Sequence, residues 1–248
     1  MNIGTGKVTT EEMQGVPHHL LDILDIHEMY GVGEFAPEAR RIIADITARG
    51  KLPILSGGTG LFIDSVIGNF TIPEVPADWQ YRDELEAFRE KEGNEALWEK
   101  LNTVDPDYAS ELDPRNYRYV IRGLEIWKST GQSKKVLGQK TESPYDFLRI
   151  TPYDGDREKL YNKINQRVEE MFQSGLIEEV TQLLGKHKPT ETDILDIFPG
   201  LNAIGYREVL PYLAGKETLE KTLELVQQNS RHYAKRQLTW FRRYNDAI

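Results

Sequence analysis

A glycine-rich turn after a short apolar run is the first feature of this sequence that could support chemistry. The run at 51–56 leads into Gly57-Gly-Thr-Gly60. Glycine lets the backbone adopt positive φ and lets a phosphate approach closely, and Thr59 adds a hydroxyl at the same place. If the run is a buried parallel strand, Thr59 lies at its carboxyl end, where open α/β sheets bind ligands. The alternative is a tight turn that binds nothing.

Arg167 is a second candidate, because it lies beside the apolar stripe of a predicted helix at 156–174. A residue on the margin of such a stripe can reach a neighbouring site or stay at the surface. Its guanidinium could serve a site at the sheet edge, or it could pair with Glu169 or Glu170. From the residues alone, the surface pair is favoured.

Positive charge is concentrated in two stretches of an otherwise acidic chain. The net charge of −9 argues against a nucleic-acid partner, but the placement of charges matters more than their sum. Residues 115–140 contain Arg118 and Arg122 on one helical face, and residues 229–244 contain five Lys or Arg and no acid. Aromatic side chains alternate with the second set, a combination typical of RNA-binding surfaces.

Both basic stretches also have a structural interpretation. The first could pair with the acidic helices that precede it in the sequence. The second could be a helix C-terminus, where cations are favoured by the helix dipole and aromatics fill the core. RNA contact is the favoured interpretation, because two such stretches occur in one acidic chain.

Composition excludes several classes of protein. The sequence has no cysteine, which excludes a disulfide framework and cysteine-ligated zinc. It has no apolar run of membrane-spanning length and no signal segment, so a cytoplasmic protein without membrane association is predicted. His18 and His19 are adjacent and would point to opposite sides of a strand, so one is expected to be buried and no metal pair is predicted.

The predicted elements alternate between strand and helix at both ends of the chain. Strands are predicted at 17–24, 51–56 and 145–151, with helices at 34–49, after Gly60, at 156–174 and at 218–242. Breaks at 73–76 and 142–144 enclose a region with helices only, at 78–92, 95–104 and 116–130. Alternation predicts a parallel sheet with right-handed crossovers. The predicted architecture is an α/β core, 1–75 with 143–248, interrupted by a helical insertion at 76–142.

Taken together, the motifs resemble those of the tRNA dimethylallyltransferase (tRNA isopentenylpyrophosphate transferase) family. The resemblance covers nearly the whole chain and depends on the order and spacing of short motifs that are weak individually. They are Ile3-Gly-Thr-Gly-Lys7, Pro17-His-His-Leu-Leu-Asp22, Gly57-Gly-Thr-Gly-Leu61, Arg118-Tyr-Val-Ile-Arg-Gly-Leu-Glu125, Ile164-Asn-Gln-Arg167 with Met171 and Gly175 after it, Ala203-Ile-Gly-Tyr-Arg207 and Lys235-Arg-Gln-Leu-Thr-Trp-Phe-Arg242.

The resemblance implies a fold, an activity and partners. The fold would be a nucleotide-binding, P-loop-type α/β core with an all-α insertion that binds tRNA. The activity would transfer a dimethylallyl group from dimethylallyl diphosphate to N6 of the adenosine next to the anticodon. The family uses Mg²⁺, binds the tRNA anticodon stem-loop and is expected to be monomeric when complete.

The resemblance also assigns residues to roles. Arg167 matches an arginine that handles the prenyl diphosphate, and Thr59 lies near the accepting nucleotide. Three segments match those that contact tRNA. They are Arg118, Tyr119, Val120, Ile121 and Arg122; Asn202, Ala203, Ile204, Gly205, Tyr206 and Arg207; and Lys235, Arg236, Gln237, Leu238, Thr239, Trp240, Phe241 and Arg242.

The sequence departs from the family pattern at its beginning. Family members open with a strand, a Gly-x-x-x-x-Gly-Lys-Ser/Thr loop and an aspartate that acts as general base, before the motif that starts here at Met1. In this chain Lys7 is followed by Val8, so 1–7 is not that loop. The chain as given is therefore expected to be inactive. The absent strand is expected to leave exposed sheet edges and a marginal or self-associating fold.

Two other functions stay open at this point. One is a tRNA-binding protein without catalysis. The other is an adenylate-type prenyltransferase that acts on free nucleotides, which would need neither the helical insertion nor the basic stretch at 235–243.

Overall fold

A computed structural model of the chain describes residues 1–68, 75–138, 142–190 and 194–244. The chain divides into two compact units. The first unit comprises Met1–Tyr30 and Phe147–Ile248, and the second comprises Gly31–Asp146.

The regular structure within these residues is helical. The second unit contains α1 (Val32–Ala48), α2 (Gly60–Ile67), α3 (Trp79–Glu92), α4 (Asn94–Val104), α5 (Pro106–Ala109), α6 (Tyr117–Thr130) and α7 (Lys134–Leu137). The first unit contains α8 (Arg157–Gln173), α9 (Leu176–Leu184), α10 (Ile194–Ile197), a 3₁₀ turn (Pro199–Asn202), α11 (Val209–Leu213) and α12 (Leu219–Phe241).

The helices predicted from periodicity are confirmed to within about two residues at each end. Their start points are fixed by side chains that accept a hydrogen bond from a backbone N–H of the first turn. Asp78 begins α3, Asp156 begins α8 and Thr218 begins α12 in this way. A residue of this type satisfies one of the N–H groups that a helix start leaves without a partner.

The second unit has its core where α3, α4, α5 and α6 meet. Gly123 is essential to this packing, because a Cβ there would lie 2.9 Å from a ring carbon of Tyr108 and 3.0 Å from a methyl of Leu101. Such contacts are shorter than side chains tolerate, so only glycine lets α6 approach so closely. The buried residues of the cluster are Leu85, Leu97, Leu101, Tyr108, Ala109, Val120, Ile121 and Leu124.

A buried carboxylate ties α3 to α6 in the same unit. The side chain of Glu125 is 1% exposed. It accepts two hydrogen bonds of 2.8 Å from the guanidinium of Arg82, one of 2.7 Å from the N–H of Asp78, and another from Arg122. Burial opposes ionisation, but these donors outweigh it and hold the pKa of Glu125 below its ordinary value. Arg122 also donates to the carbonyl of Val75 at 2.8 Å.

The first unit packs the N-terminal residues against α8–α11. Met1, Ile3 and Ile26 lie on its core, and the N–H of Gly200 donates to the carbonyl of Ile26 at 3.1 Å. The buried residues of this core are Leu176, Val180, Leu184, Ile194, Phe198, Leu201, Tyr206, Val209 and Leu210.

The predicted parallel sheet is not confirmed, because none of the described residues lies in a strand. The segments at 17–24, 51–56 and 145–151 are neither helix nor strand. The side chains of Leu52 and Ile54 are 84% and 82% exposed, and Leu148 and Ile150 are also exposed. An apolar, β-rich pattern gives a segment strand propensity, but a strand forms only when a neighbour accepts its hydrogen bonds.

Several smaller predictions can also be compared with the structure. His18 and His19 are both exposed, so the expected burial of one is wrong; their segment is not the predicted strand. The predicted boundaries at 75/76 and 142/143 stay predictions, and the structure groups 31–75 with the second unit. Residues 73–74 of one predicted break and 139–140 of the first basic stretch lie outside the described residues. No helix in the described part of the chain has the length and apolar composition to cross a membrane.

Replacing Glu125 tests the buried carboxylate. Glu125→Gln should lower the free energy of unfolding by about 3 kcal/mol, because Arg82 and Arg122 lose a charged partner inside the protein. The measurement is urea unfolding followed by far-UV circular dichroism. Glu84→Gln removes an exposed charge on α3 and should change stability by less than about 0.5 kcal/mol. Equal losses in the two variants would contradict this account.

The partly buried amine of Lys134 predicts that the free energy of unfolding of the second unit changes with pH in the alkaline range. Burial lowers the pKa of Lys134 to about 8, and the charge of Arg122 adds to this effect. Between pH 8 and 10 the unfolded chain then binds more protons than the folded one, so stability should rise with pH, by at most about 2 kcal/mol. Lys134→Met should abolish this rise in urea unfolding at pH 7.5, 8.5 and 9.5. A rise of the same size in the variant would exclude Lys134 as its origin.

Candidate functional site

Arg167 lies on α8 beside the N-terminal residues of the first unit. Its Nη2 is 3.5 Å from the carbonyl oxygen of Thr5, and its guanidinium covers the Cα of Gly6 so closely that a Cβ there would lie 2.0 Å from Nη2. Arg167 is exposed. It is therefore held against residues 1–7, which we call the 1–7 loop, while its charge stays accessible to an anion.

The surface-pair alternative for Arg167 is not observed within the described residues. Glu170 accepts a hydrogen bond from Gln166 at 2.9 Å, and Glu169 accepts one from Gln227 at 3.3 Å. Both carboxylates thus have other partners, and the guanidinium points to the 1–7 loop.

The segment 202–207 forms a tight turn under the same loop. Gly205 has φ +95°, and its N–H donates to Oε2 of buried Glu208 at 2.8 Å. The other oxygen of Glu208 accepts from Arg207 Nε and from Asn229 of α12, each at 2.8 Å. The turn directs Tyr206 inward, where its side chain is completely buried.

Cations near the C-terminal end of α12 form one side of an open groove. The groove has a volume of about 530 Å³ and is lined by His232, Lys235, Arg236, Thr239, Trp240 and Arg243. Arg243 stacks on the ring of Trp240 at 4.0 Å. Lys235, Arg236 and Arg242 are exposed, and within the described parts of the chain they have no carboxylate partner. Stacked rings beside unpaired cations are suited to single-stranded RNA.

The cations of the second unit are mostly paired, as the structural alternative predicted. Within the described part of the first basic stretch, 115–138, four cations contact acidic side chains: Arg115 with Asp113, Arg122 with Glu125, Lys128 with Asp78 and Lys135 with Glu111. Arg118 differs from these. It is exposed on α6, lies 5.8 Å from the ring of Tyr117 and has no carboxylate partner among the described residues.

Several residues assigned to tRNA contact are inside the protein. Val120 and Ile121 belong to the core of the second unit, and Tyr206 belongs to the core of the first. In this conformation their side chains cannot touch an external molecule. In the second unit, the packing of Val120 and Ile121 holds exposed neighbours such as Arg118 and Tyr119 in place. The assignment of the three segments to tRNA contact stays a prediction.

Thr59 lies at the start of α2, where it is the N-cap residue, and it is exposed. It belongs to the second unit with Arg118–Arg122. Arg167, the 202–207 turn and the groove on α12 belong to the first unit. The predicted site residues are therefore divided between the two units.

Sequence reasoning missed Glu179, which joins the 1–7 loop to α9. Its carboxylate accepts the N–H of Ile3 at 3.1 Å and the hydroxyl of Tyr206 at 2.7 Å. The only signal in the sequence was an acidic residue in the first turn of a helix that follows Gly175, which has many ordinary explanations.

The described residues do not offer a protein-ligated metal site. They contain no group of three or more His, Cys, Asp or Glu side chains arranged to hold an ion. Two carboxylates contact the 1–7 loop: Asp22 pairs with Lys7, and Glu179 has its oxygens occupied by N–H and O–H donors. The residues present therefore do not fit Mg²⁺ by themselves, and the Mg²⁺ implied by the resemblance stays a prediction.

Comparison with known proteins gives matches over nearly the whole chain. The sequence model described as IPP transferase matches residues 1–244. A protein named tRNA dimethylallyltransferase from Halalkalibacterium halodurans is 45% identical over 98% of this chain and 76% of its own length. Another of that name, from Exiguobacterium, is 43% identical over 100% of this chain and 76% of its own length.

The solved structures that resemble this chain are also enzymes of this kind. A full-length tRNA isopentenylpyrophosphate transferase from Bacillus halodurans has a TM-score of 0.65 and 44% identity, with 100% of this chain and 76% of that chain covered. A eukaryotic dimethylallyltransferase described as acting on tRNA has a TM-score of 0.77 and 29% identity, with 96% and 59% covered. The structural neighbours are thus tRNA prenyltransferases.

The groove on α12 predicts a specific effect of charge removal. Replacing Lys235 and Arg236 by Gln should weaken binding of an anticodon stem-loop RNA and reduce the slope of log K against log [salt] by about 1.4–1.8, or 0.7–0.9 per lost phosphate contact. Fluorescence anisotropy at several salt concentrations measures both. Lys221→Gln removes a charge from the same helix outside the groove and should leave both unchanged. An unchanged slope in the double variant would exclude the groove as a phosphate contact.

Proposed function

The chain belongs to the IPP transferase family, and we propose that it transfers a dimethylallyl group from dimethylallyl diphosphate to N6 of the adenosine next to a tRNA anticodon. The observation that carries this proposal is the match of the family to residues 1–244, together with 45% identity to a tRNA dimethylallyltransferase over 98% of the chain. The exposed position of Arg167 beside the 1–7 loop is compatible with the diphosphate role that the resemblance gives it.

The proposed reaction is an alkyl transfer. The N6 lone pair attacks C1 of the dimethylallyl group, the C1–O bond breaks, and the diphosphate leaves with the bonding electrons. The N6 proton passes to a general base. The resemblance gives this role to an aspartate in a family segment that precedes the motif beginning at Met1. Since the leaving group gains negative charge as the bond breaks, cations held beside it lower the barrier.

Arg167 is the residue of this chain that we assign to the diphosphate. It is exposed, it has no carboxylate partner among the described residues, and its guanidinium is restrained against Thr5 and Gly6. A guanidinium is always charged and presents several N–H donors in a fixed plane, which suits the oxygens of a diphosphate. Thr59 is assigned to the vicinity of the accepting nucleotide on the resemblance alone.

Arg118 and the groove on α12 are assigned to the RNA. The target amine is stacked within the anticodon loop, so the base has to leave the stack before it reacts, and aromatic and cationic side chains compensate that cost. Trp240 with Arg243, and Tyr119 with Lys134 at 5.3 Å, are such pairs, and in each of them one member, Arg243 or Tyr119, is exposed. The sites assigned to RNA thus lie in both units.

The remaining parts of the proposal follow the family. They are a P-loop-type α/β sheet core with an all-α insertion at 76–142, dependence on Mg²⁺, a monomer when complete, and a cytoplasmic location. An RNA-binding protein without catalysis is the competing function. It would retain the groove on α12 but would transfer no prenyl group.

Arg167→Ala tests the assignment. The assay follows transfer of labelled dimethylallyl diphosphate to an anticodon stem-loop by the chain as given and by a version extended with the family segment that precedes Met1. The extended protein should transfer the label to the RNA. Arg167→Ala should lower kcat/KM of the extended protein by about 10²-fold. Arg157→Ala removes an exposed arginine from the same helix and should have no effect. Inactivity of the extended protein would overturn the proposed function.

A further inference from the structure

Backbone hydrogen bonds hold the 1–7 loop, together with the packing of Met1 and Ile3 on the core and an ion pair of Lys7 with Asp22. Two turn hydrogen bonds of 2.9 Å close it, from the N–H of Gly6 to the carbonyl of Ile3 and from the N–H of Lys7 to the carbonyl of Asn2. The N–H groups of residues 2, 3 and 4 point the other way, toward α9 and the 202–207 turn. Three consecutive amides aimed at one place form a small anion-binding concavity.

Glu179 and Tyr206 fill that concavity. Glu179 Oε1 accepts the N–H of Asn2 at 2.5 Å, and its Oε2 accepts the N–H of Ile3 at 3.1 Å. The Tyr206 hydroxyl donates to Oε2 at 2.7 Å and accepts the N–H of Gly4 at 3.0 Å. One carboxylate and one phenol therefore satisfy three loop amides and each other. We call this arrangement the Glu179–Tyr206 clamp.

The protonation states of Glu179 and Tyr206 agree with the hydrogen bonds of the clamp. Burial opposes ionisation of Glu179, but the donors around it outweigh burial and hold its pKa below the ordinary value. Burial and the neighbouring Glu179 raise the pKa of Tyr206. Near neutral pH the clamp thus consists of a carboxylate and a neutral phenol, the states that these hydrogen bonds require.

The loop fits between the clamp and Arg167 with no space for a side chain. A Cβ at Gly4 would lie 2.3 Å from a ring carbon of Tyr206, and one at Gly6, where φ is +59°, would lie 2.0 Å from Arg167 Nη2. The loop backbone is therefore in contact with Tyr206 on one side and with the guanidinium of Arg167 on the other. A shift of the loop at one contact has to move it at the other.

We propose that Glu179 and Tyr206 are positioning residues for Arg167. They fix the 1–7 loop, and the loop limits the orientations that the exposed guanidinium can adopt. An arginine on a helix surface otherwise samples many rotamers, and ordering it in advance makes binding of an anion less costly in entropy. The proposal rests on the proposed function only in naming a diphosphate as that anion.

The test uses the whole chain, two clamp variants, a matched control, Arg167→Ala and the double variant of Glu179→Gln with Arg167→Ala. Glu179→Gln and Tyr206→Phe each remove part of the clamp with almost no change in shape. Glu178→Gln is the matched control, because it removes an exposed carboxylate from the same first turn of α9. NMR hydrogen exchange of the amides of Ile3 and Gly4 reports the clamp, and ¹⁵N relaxation of the Arg167 Nε–H group reports the guanidinium. Thermal unfolding checks that each variant is folded.

The clamp variants should exchange the Ile3 and Gly4 amides roughly tenfold faster or more, and the control should not. The Arg167 Nε–H group should become more mobile in the same variants. Affinity for inorganic pyrophosphate should fall in Glu179→Gln and Arg167→Ala, and the double variant should bind like Arg167→Ala alone, because the two residues act in series. Affinity for an anticodon stem-loop RNA should not change in Glu179→Gln. If the variant were unfolded, its RNA affinity would fall together with its affinity for pyrophosphate.

Each other result has a definite meaning. Unchanged exchange and unchanged Arg167 mobility in both clamp variants would overturn the proposal. A loss of pyrophosphate affinity in Glu179→Gln that adds to that of Arg167→Ala would also overturn it, because Glu179 would then act by another route. If the wild-type chain binds no pyrophosphate but Arg167 mobility still responds to the clamp, the positioning is supported and the diphosphate assignment fails.

Discussion

Each unit of this protein contains a carboxylate that is largely shielded from water, Glu125 at 1% and Glu179 at 13% exposure, and that constraint organises the structure around it. A buried carboxylate is stable only when donors occupy its oxygens. Glu125 obtains them from two arginines and the start of α3, which ties α3 to α6 in the second unit. Glu179 obtains them from loop amides and a phenol, which ties the first residues of the chain to a helix far away in sequence. In both cases the donors come from elements that apolar packing alone would not align.

This use of charge explains why the two basic stretches are not equivalent. In the second unit most cations neutralise acidic side chains of the same unit, and Arg122 is needed to stabilise Glu125. In the first unit the cations at the end of α12 face an open groove with Trp240. In the sequence, basic side chains at helical spacing look the same in the two basic stretches. Only the positions of the neighbouring carboxylates separate a structural cation from one that can contact phosphate.

The functional assignment connects these features to catalysis. Diphosphate departure requires a cation that is already oriented when the substrate binds, and an exposed arginine on a helix does not meet that requirement by itself. In this structure the guanidinium of Arg167 lies against a loop whose other side is fixed by Glu179 and Tyr206. Hydrogen bonds from backbone amides, rather than a conspicuous sequence motif, thus link the fold to the proposed diphosphate-binding arginine.

The sequence by itself determined the long helices, their caps and the family. Periodicity and capping depend on residues three or four positions apart, so α3, α6, α8 and α12 could be predicted almost to the residue. The sequence also identified Arg167, but it favoured pairing with Glu169 or Glu170. Only the tertiary structure decided that Tyr206, Val120 and Ile121 are buried, that Arg122 is paired, and that Glu179 meets the 1–7 loop. These outcomes depend on partners tens to hundreds of residues away. The same reason applies to the predicted strands, because a strand is defined by a neighbour and not by its own side chains.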